Sequence, residues 1–152
     1  MKTIERTEYL NRIKNLKDTP DIKVITGIRR SGKSILMQEY IRYLKDNFND
    51  INVIFIDFMD LSFEHLKEYH ALHAYVEERY VEGKSNYLFI DEVQMCPNFE
   101  LAVNSLYSKR KYDIYITGSN AFLLSADLAT LFTGRYIEIH VYPFSFKEYC
   151  NY

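Results

Sequence analysis

Eight consecutive residues near the start of the chain match a pattern that binds phosphate groups. The pattern is G-x-x-x-x-G-K-[ST], and positions 27–34 supply it as Gly27, Ile28, Arg29, Arg30, Ser31, Gly32, Lys33 and Ser34. In such a loop successive backbone N–H groups surround the phosphates, the lysine reaches the β- and γ-phosphates, and the last hydroxyl binds Mg²⁺. We therefore predict that these eight residues bind a nucleotide.

Two acidic residues, Asp91 and Glu92, directly follow the apolar run Tyr-Leu-Phe-Ile at positions 87–90. Phosphoryl transfer requires that the phosphates and the metal are held and that the attacking oxygen is aligned. Asp91 is placed to bind the Mg²⁺ shell, and Glu92 is placed to polarise a water molecule. Alone, such a pair is typical of a polar strand end. Beside a phosphate-binding loop it predicts a hydrolytic site.

The phosphate-binding pattern requires a strand before it and a helix after it. Residues 22–26 are typical of a short buried strand, and residues 34–44 carry Ile and Leu three or four positions apart, as an amphipathic helix does. The same reasoning predicts strands at 51–57, 87–92, 113–117 and 136–141, and helices at 4–17, 62–82 (with Ser62 as a candidate N-cap), 99–108 and 123–132. This alternation indicates a parallel sheet with right-handed crossovers.

The composition is that of an ordinary globular domain, with 47% hydrophobic and 26% charged residues in 152. A formal net charge of −2 creates no global positive field, so binding to nucleic acid is not indicated. No apolar run approaches the ~20 residues that span a bilayer, so we expect no membrane segment. Cys96 and Cys150 have no metal-like spacing, and the N-terminus turns polar at once. Both features favour the cytoplasm.

These motifs together resemble those of a known superfamily. Residues 27–34 and 88–92 look like the Walker A and Walker B pair of AAA-plus ATPases, and residues 116–120 (Ile-Thr-Gly-Ser-Asn) are similar to its sensor 1 segment. With Asp-Glu-Val-Gln at 91–94, Thr-Gly-Arg-Tyr at 133–136 and Pro-Phe-Ser-Phe-Lys-Glu at 143–148, the chain resembles a prokaryotic group of AAA-family ATP-binding proteins. The resemblance implies a three-layer α/β P-loop NTPase core with a five-stranded parallel sheet, order 5-1-4-3-2, and helices on both faces.

The resemblance also implies roles for individual residues. Lys33 would contact the β- and γ-phosphates, and Ser34 and Asp91 would hold Mg²⁺. Glu92 would activate water. Asn120 would sense the γ-phosphate, with Ser119 as the less favoured choice.

Arg135 lies between the predicted helix at 123–132 and the last predicted strand. The superfamily carries its arginine finger there, and that residue usually acts across a subunit boundary, which implies a homo-oligomer. Such an arginine contributes roughly 10³–10⁵ in rate. The alternative is that Arg135 is a structural cap or part of a surface ion pair.

Two further features leave alternatives open. Arg29 and Arg30 could steer an anionic phosphate or simply face solvent. His70 and His73 are three positions apart on a predicted helix, a spacing that metal ligands use. With no third ligand evident, a half-buried helix face is favoured.

The function expected from the resemblance is hydrolysis of ATP to drive or switch a larger protein. Residues 1–152 would be its N-terminal nucleotide-binding core, because relatives continue into a helical lid and a further C-terminal domain. No N-K-x-D or T-K-x-D segment follows the fourth predicted strand, which favours ATP over GTP. A nucleotide-binding regulatory or interaction module with little turnover is the alternative. A small-molecule kinase is less favoured, because Glu92 and Asn120 suit water activation.

Overall fold

The computed structural model describes residues 2–28, 32–119 and 125–142. Within these ranges strands and helices alternate, as predicted. The helices are α1 (Lys2–Asn15), α2 (Lys33–Asn47), α3 (Tyr69–Glu78), α4 (Phe99–Ser108) and α5 (Ser125–Phe132). The strands are β1 (Ile22–Gly27), β2 (Ile51–Asp57), β3 (Ser85–Asp91), β4 (Tyr112–Ser119) and β5 (Tyr136–His140). Short 3₁₀ helices at Leu61–Lys67 and Val93–Met95 follow β2 and β3.

The five strands form one sheet in the order β2-β3-β4-β1-β5, and every neighbouring pair is parallel. This is the predicted order 5-1-4-3-2 read from the other side, so the predicted three-layer α/β fold is confirmed. Because all strands run the same way, their carboxyl ends meet at one edge of the sheet. We call this the C-terminal edge and the opposite one the N-terminal edge.

Both faces of the sheet are covered by helices. On the first face, α1 and α2 pack over the strands in a core that includes Ile13, Ile25, Leu36, Tyr40, Phe89 and Tyr115. On the second face, α3, α4 and α5 pack over a core that includes Val24, Ile56, Leu72, Ile90, Leu106, Ile116 and Phe132. Burial on both faces explains why the central strands are continuously apolar. Hence a polar residue within these strands needs a specific partner.

One such partnership joins β1 to β4 at the N-terminal edge. The Lys23 ammonium is fully buried and donates to Asp113 Oδ1 at 2.6 Å. The other carboxylate oxygen accepts from the Tyr115 hydroxyl at 2.8 Å and from the backbone N–H of Asp18 at 2.8 Å. The Tyr115 hydroxyl is also 3.0 Å from that of Tyr40 on α2. This network satisfies the buried charges and ties the first face to the sheet.

The prediction of one helix over residues 62–82 is wrong. The segment divides into the 3₁₀ helix Leu61–Lys67 and the α-helix Tyr69–Glu78, separated by Glu68 in an extended conformation. The Glu68 carboxylate accepts hydrogen bonds from the backbone N–H groups of His70 and Ala71, and so caps α3. The 3₁₀ helix is capped by Asp60, which accepts from the N–H of Ser62, so Ser62 is not the N-cap.

Candidate functional site

The phosphate-binding pattern lies at the C-terminal edge, between β1 and α2. β1 ends at Gly27 and α2 begins at Lys33, which confirms the strand and helix that the pattern requires. Gly32 has φ +93°, a left-handed conformation that side-chain-bearing residues rarely adopt. The glycine at this position is therefore needed for the turn into the helix. Arg29, Arg30 and Ser31 lie outside the described residues.

Lys33 is folded back onto the loop. Its side chain is 4% exposed, and Nζ donates to the carbonyl oxygens of Gly27 and Ile28, each at 3.0 Å. The ammonium lies at the first turn of α2, where the helix dipole is positive and no acidic residue occurs. Ser34 follows and is exposed. This end of α2 therefore favours an anion, and Lys33 can exchange carbonyl contacts for phosphate contacts.

Asp91 ends β3 at the same edge and on the same face as α2. Phe89, two residues earlier, packs in the core on the first face, and alternation places Asp91 on that face as well. The carboxylate is almost fully buried, and Oδ1 accepts a hydrogen bond from the Thr117 hydroxyl at 2.6 Å. The structure thus brings Asp91 to the edge that holds Lys33, as the motifs predict.

Thr117 lies within the sensor 1 segment at 116–120, but the sequence motifs assign no role to it. It lies on β4, the strand between β3 and β1, and is fully buried. Its hydroxyl donates to Asp91 and accepts from the backbone N–H of Glu92 at 2.8 Å. One side chain therefore fixes both acidic residues. The sequence feature that could have indicated this role is the threonine hydroxyl at a buried position of β4.

Glu92 does not continue β3, contrary to the predicted strand 87–92. Its backbone is left-handed, with φ 57° and ψ 54°, and starts the 3₁₀ turn Val93–Met95. Its carboxylate Oε2 accepts from the Gln94 side-chain amide at 2.6 Å. The turn takes Glu92 out of the sheet, and Thr117 and Gln94 hold its backbone and its side chain.

Asp57 adds a further carboxylate to this edge. It ends β2 and is the register partner of Asp91 on β3, so the two side chains lie on the same face. Burial, and then the charges of Asp91 and Asp60, raise the pKa of Asp57, although a hydrogen bond from the N–H of Met59 opposes the rise. The C-terminal edge therefore carries a negative group beyond those that the motifs identified.

Of the two sensor 1 candidates, Ser119 and Asn120, the structure describes Ser119. Ser119 is the last residue of β4 and pairs in register with Gly27, which starts the phosphate-binding loop. Asn120, the favoured candidate, lies outside the described residues. The motif at residues 143–148 also lies outside them.

The structure does not bring Arg135 to the other predicted site residues. It precedes β5 at the N-terminal edge, where its carbonyl oxygen accepts from the N–H of Ile22 at 3.0 Å. Its guanidinium carbon is 5.6 Å from the centre of the Tyr107 ring. The six residues of β1 separate Arg135 from the phosphate-binding loop by about 20 Å, at ~3.3 Å per residue. Within one chain Arg135 is therefore at the wrong edge to contact the phosphates.

His70 and His73 have partners within the protein. The His70 ring contacts the Glu68 carboxylate at 2.8 Å, and His73 Nε2 is 3.0 Å from the hydroxyl of Ser105. Among the described residues, no three His, Cys, Asp or Glu side chains are grouped so that they could hold a metal ion. In the same part of the chain, every helix is too short or too polar to cross a membrane.

Comparison with known proteins decides the family. The family described as AAA domain matches residues 19–150. The chain belongs to this AAA domain family. A relative from Haemophilus influenzae, an uncharacterized protein, is 40% identical over 150 residues, which cover 97% of this chain and 38% of the relative. The chain spans about a third of the length of the curated relatives that it matches.

Solved structures agree with an AAA-type fold. Cdc6p from Pyrobaculum aerophilum aligns with a TM-score of 0.60 at 13% identity, over 88% of this chain and 44% of that one. The genome packaging NTPase B204 from Sulfolobus turreted icosahedral virus 2, in complex with ATP-gammaS, aligns with a TM-score of 0.52 at 18% identity, over 86% and 79%. At these identities the likeness shows the fold alone. Family and fold together identify a nucleotide-binding P-loop domain.

Proposed function

We propose that this AAA domain binds Mg-ATP and hydrolyses it to ADP and phosphate, and that hydrolysis drives or switches a larger protein. The observation that carries the proposal is the shared placement of Lys33 and Asp91. They come from different elements, yet both lie at the C-terminal edge and on the first face of the sheet. This is the placement that phosphate binding and metal binding require of one site.

The residues at this edge fit the charge of a metal–nucleotide complex. Lys33 and the N-terminus of α2 offer positive charge to the β- and γ-phosphates. The Ser34 hydroxyl and the Asp91 carboxylate are the oxygen ligands that Mg²⁺ prefers, directly or through water. When bound, Mg²⁺ would neutralise charge on the phosphate oxygens.

Glu92 is proposed as the general base that takes a proton from the attacking water. Its Oε2 is occupied by Gln94, and the contacts of the described residues leave its other oxygen, Oε1, available. Asn120, with Ser119 as the second choice, is proposed to detect the γ-phosphate. The register of Ser119 with Gly27 supports a role for this end of β4 beside the loop.

Adenine is proposed as the nucleobase of the bound nucleotide, because the segment after β4 lacks the Asn-Lys-x-Asp or Thr-Lys-x-Asp sequence that favours guanine. The complex of B204 with ATP-gammaS is a property of that protein and is consistent with this choice. Genome packaging is a role of B204; the likeness to this chain is one of fold, and the net charge of −2 of this chain does not favour binding to nucleic acid.

Arg135 is proposed to act on the nucleotide of a neighbouring copy, in a homo-oligomer. Its exposed position at the N-terminal edge, about 20 Å from its own loop, supports action between chains rather than within one. Its contact with the Tyr107 ring supports the structural alternative instead. Loss of ATPase activity in Arg135→Ala, restored by mixing with a variant that lacks Lys33, would favour the first role.

Residues 1–152 are proposed to be the nucleotide-binding core of a longer protein, because the chain spans about a third of its matched relatives. The same fact supports the alternative, a nucleotide-binding module with little turnover, since groups needed for hydrolysis could lie outside these residues. The buried free thiol of Cys96 suits a reducing compartment, and we propose the cytoplasm.

The test compares ATP binding and phosphate release in wild type and Glu92→Gln, each made as the 152-residue chain and as a version extended past Tyr152. Because a general base contributes about 10²–10⁴ in rate, Glu92→Gln should keep ATP affinity and lose at least about 100-fold in turnover. Glu78→Gln, which changes an exposed glutamate on α3, is the matched control and should behave as wild type.

Three other results would contradict the proposal. Equal turnover in wild type and Glu92→Gln would remove Glu92 as the base. Stoichiometric binding without phosphate release, even in the extended version, would favour the binding module. Faster transfer of phosphate to an added small-molecule acceptor than to water would favour a kinase.

A further inference from the structure

The side chain of Gln94 makes a specific contact with the proposed base. Its amide nitrogen donates to Glu92 Oε2 at 2.6 Å, a short hydrogen bond to a charged acceptor. The opposite orientation of the amide would place its oxygen against the carboxylate, and two acceptors repel. The amide is therefore held with nitrogen towards Glu92.

The backbone around this contact is fixed on both sides. The N–H of Glu92 donates to Thr117 Oγ1 at 2.8 Å, and its carbonyl oxygen accepts from the N–H of Met95 at 3.1 Å. Val93, between the two partners, is fully buried and anchors the 3₁₀ turn. Only side-chain rotation could move the Glu92 carboxylate, and the Gln94 amide restrains that rotation.

The orientation of the Gln94 amide leaves its oxygen atom without a hydrogen bond in the described part of the chain. Its Oε1 is buried and has no hydrogen-bond partner among the described residues. Buried polar atoms in native proteins are almost always paired, so an unpaired one calls for a specific explanation, and a catalytic role is one such explanation. A surface amide would turn its oxygen to water, whereas this one keeps its nitrogen on Glu92.

We propose that Gln94 is a positioning residue for ATP hydrolysis, which holds the Glu92 carboxylate so that its free oxygen faces the attacking water. This inference rests on the proposed function. In the reaction the water oxygen forms a bond to the γ-phosphorus while the bond from γ-phosphorus to the bridging oxygen of ADP breaks. The water proton passes to Glu92 Oε1 and is then released to solvent. Gln94 exchanges no proton and contacts no reacting atom.

The test is Gln94→Met, which keeps the length of the side chain and removes the amide. Misplacement of a catalytic group by about 1 Å costs up to about 100-fold, so kcat should fall by about 10- to 100-fold. The KM for ATP and the affinity for ADP should not change, because the hydrogen bond that the Gln94 side chain makes among the described residues goes to Glu92 and not to Lys33 or Asp91. Gln38→Met, an exposed position on α2, is the matched control and should leave kcat unchanged.

Measuring turnover of Gln94→Met in the Glu92→Gln background distinguishes a positioning role of Gln94 from a purely structural one. In Glu92→Gln there is no base to orient, so adding Gln94→Met should cause no further loss of turnover. A merely structural residue would lower turnover by the same factor in both backgrounds. In NMR spectra the Gln94 side-chain amide proton should lie downfield, as expected for a bond to a carboxylate, and should move upfield in Glu92→Gln.

The outcomes distinguish this inference from the proposed function. If wild type binds ATP but releases no phosphate, the proposed hydrolysis fails. If wild type and Glu92→Gln hydrolyse ATP equally, Glu92 is not the base, and the role of Gln94 fails with it. If turnover falls in Glu92→Gln but Gln94→Met has the same kcat as wild type, only the inference about Gln94 is overturned. Faster turnover in Gln94→Met would also overturn it, since the amide would then restrain the base rather than align it.

Discussion

Replacing Thr117 with valine would remove one hydroxyl and keep the shape of the side chain. That hydroxyl donates to Asp91 at 2.6 Å and accepts from the N–H of Glu92 at 2.8 Å, in a position with no solvent exposure. Valine leaves a carboxylate oxygen and an N–H group without this partner. The variant therefore tests whether β4 holds both acidic residues in place.

The magnitude follows from the two contacts. A hydrogen bond to a charged group contributes about 1.5–3 kcal/mol and a neutral one about 0.5–1.5 kcal/mol. We expect Thr117→Val to lower the free energy of unfolding by about 2–4 kcal/mol, because both partners lose their hydrogen bond at a position with no solvent exposure. For a domain of this size that corresponds to a fall in Tm of roughly 4–16 °C. ATP turnover should fall as well, since the turn that carries Glu92 loses an anchor.

The assay is urea unfolding of wild type and variants, followed by circular dichroism. Thr117→Ser keeps the hydroxyl and should cost only about 1 kcal/mol for the lost methyl group. Thr19→Val is the matched control: its hydroxyl donates to one neutral carbonyl, that of Leu16, so the loss should stay below about 1.5 kcal/mol. If Thr117→Val is as stable as Thr19→Val, the two contacts do not anchor the acidic residues as described.

Two other substitutions test charges at opposite edges of the sheet. Burial and then Asp91 raise the pKa of Asp57, so its ionised form is less stable in the folded state than in the unfolded one. Asp57→Asn should therefore raise Tm at pH 8, and the gain should vanish as the pH falls through the folded-state pKa. Asp60→Asn should show no gain, because hydrogen bonds lower the pKa of Asp60; a gain in Asp60→Asn, or none in Asp57→Asn, would refute this assignment. Lys23→Met should cost about 3–5 kcal/mol in urea unfolding, because it leaves the buried Asp113 carboxylate without its cation. The double variant with Asp113→Asn should recover part of that loss, and equal stability of Lys23→Met and wild type would contradict a buried ion pair.

The strands and the phosphate-binding loop could be predicted because their signals are local. Apolar runs that end in Gly27 or Asp91 specify buried parallel strands whose polar ends face one edge. The order of the strands needed the resemblance, since periodicity does not say which strands pair. The residues that form hydrogen bonds with the site residues are harder to predict from the sequence. Thr117 is adjacent to Asp91 only because β4 lies beside β3, and the sequence separates them by 26 positions.

The errors have physical causes as well. Apolar residues persist through residues 62–82 and predict one continuous helix, but Glu68 is extended and caps α3 with its carboxylate. Glutamate is not a common N-cap residue, so the sequence does not indicate that a new helix begins after Glu68. The apolar run before Glu92 predicts that this residue continues β3. Its left-handed backbone arises from hydrogen bonds to Thr117 and Met95, which a sequence pattern does not encode.

The order of strands in the sheet also determines when the nucleotide site can form during synthesis. β1 leads into the phosphate-binding loop, but both of its neighbours, β4 and β5, come from the last part of the described chain. Roughly 85 residues separate β1 from β4, and at ~5–20 residues per second this gap takes ~4–17 s to translate. Until then β1 has two unpaired edges, which are prone to aggregation. The strand that supplies the nucleotide site is made first among the five and paired among the last.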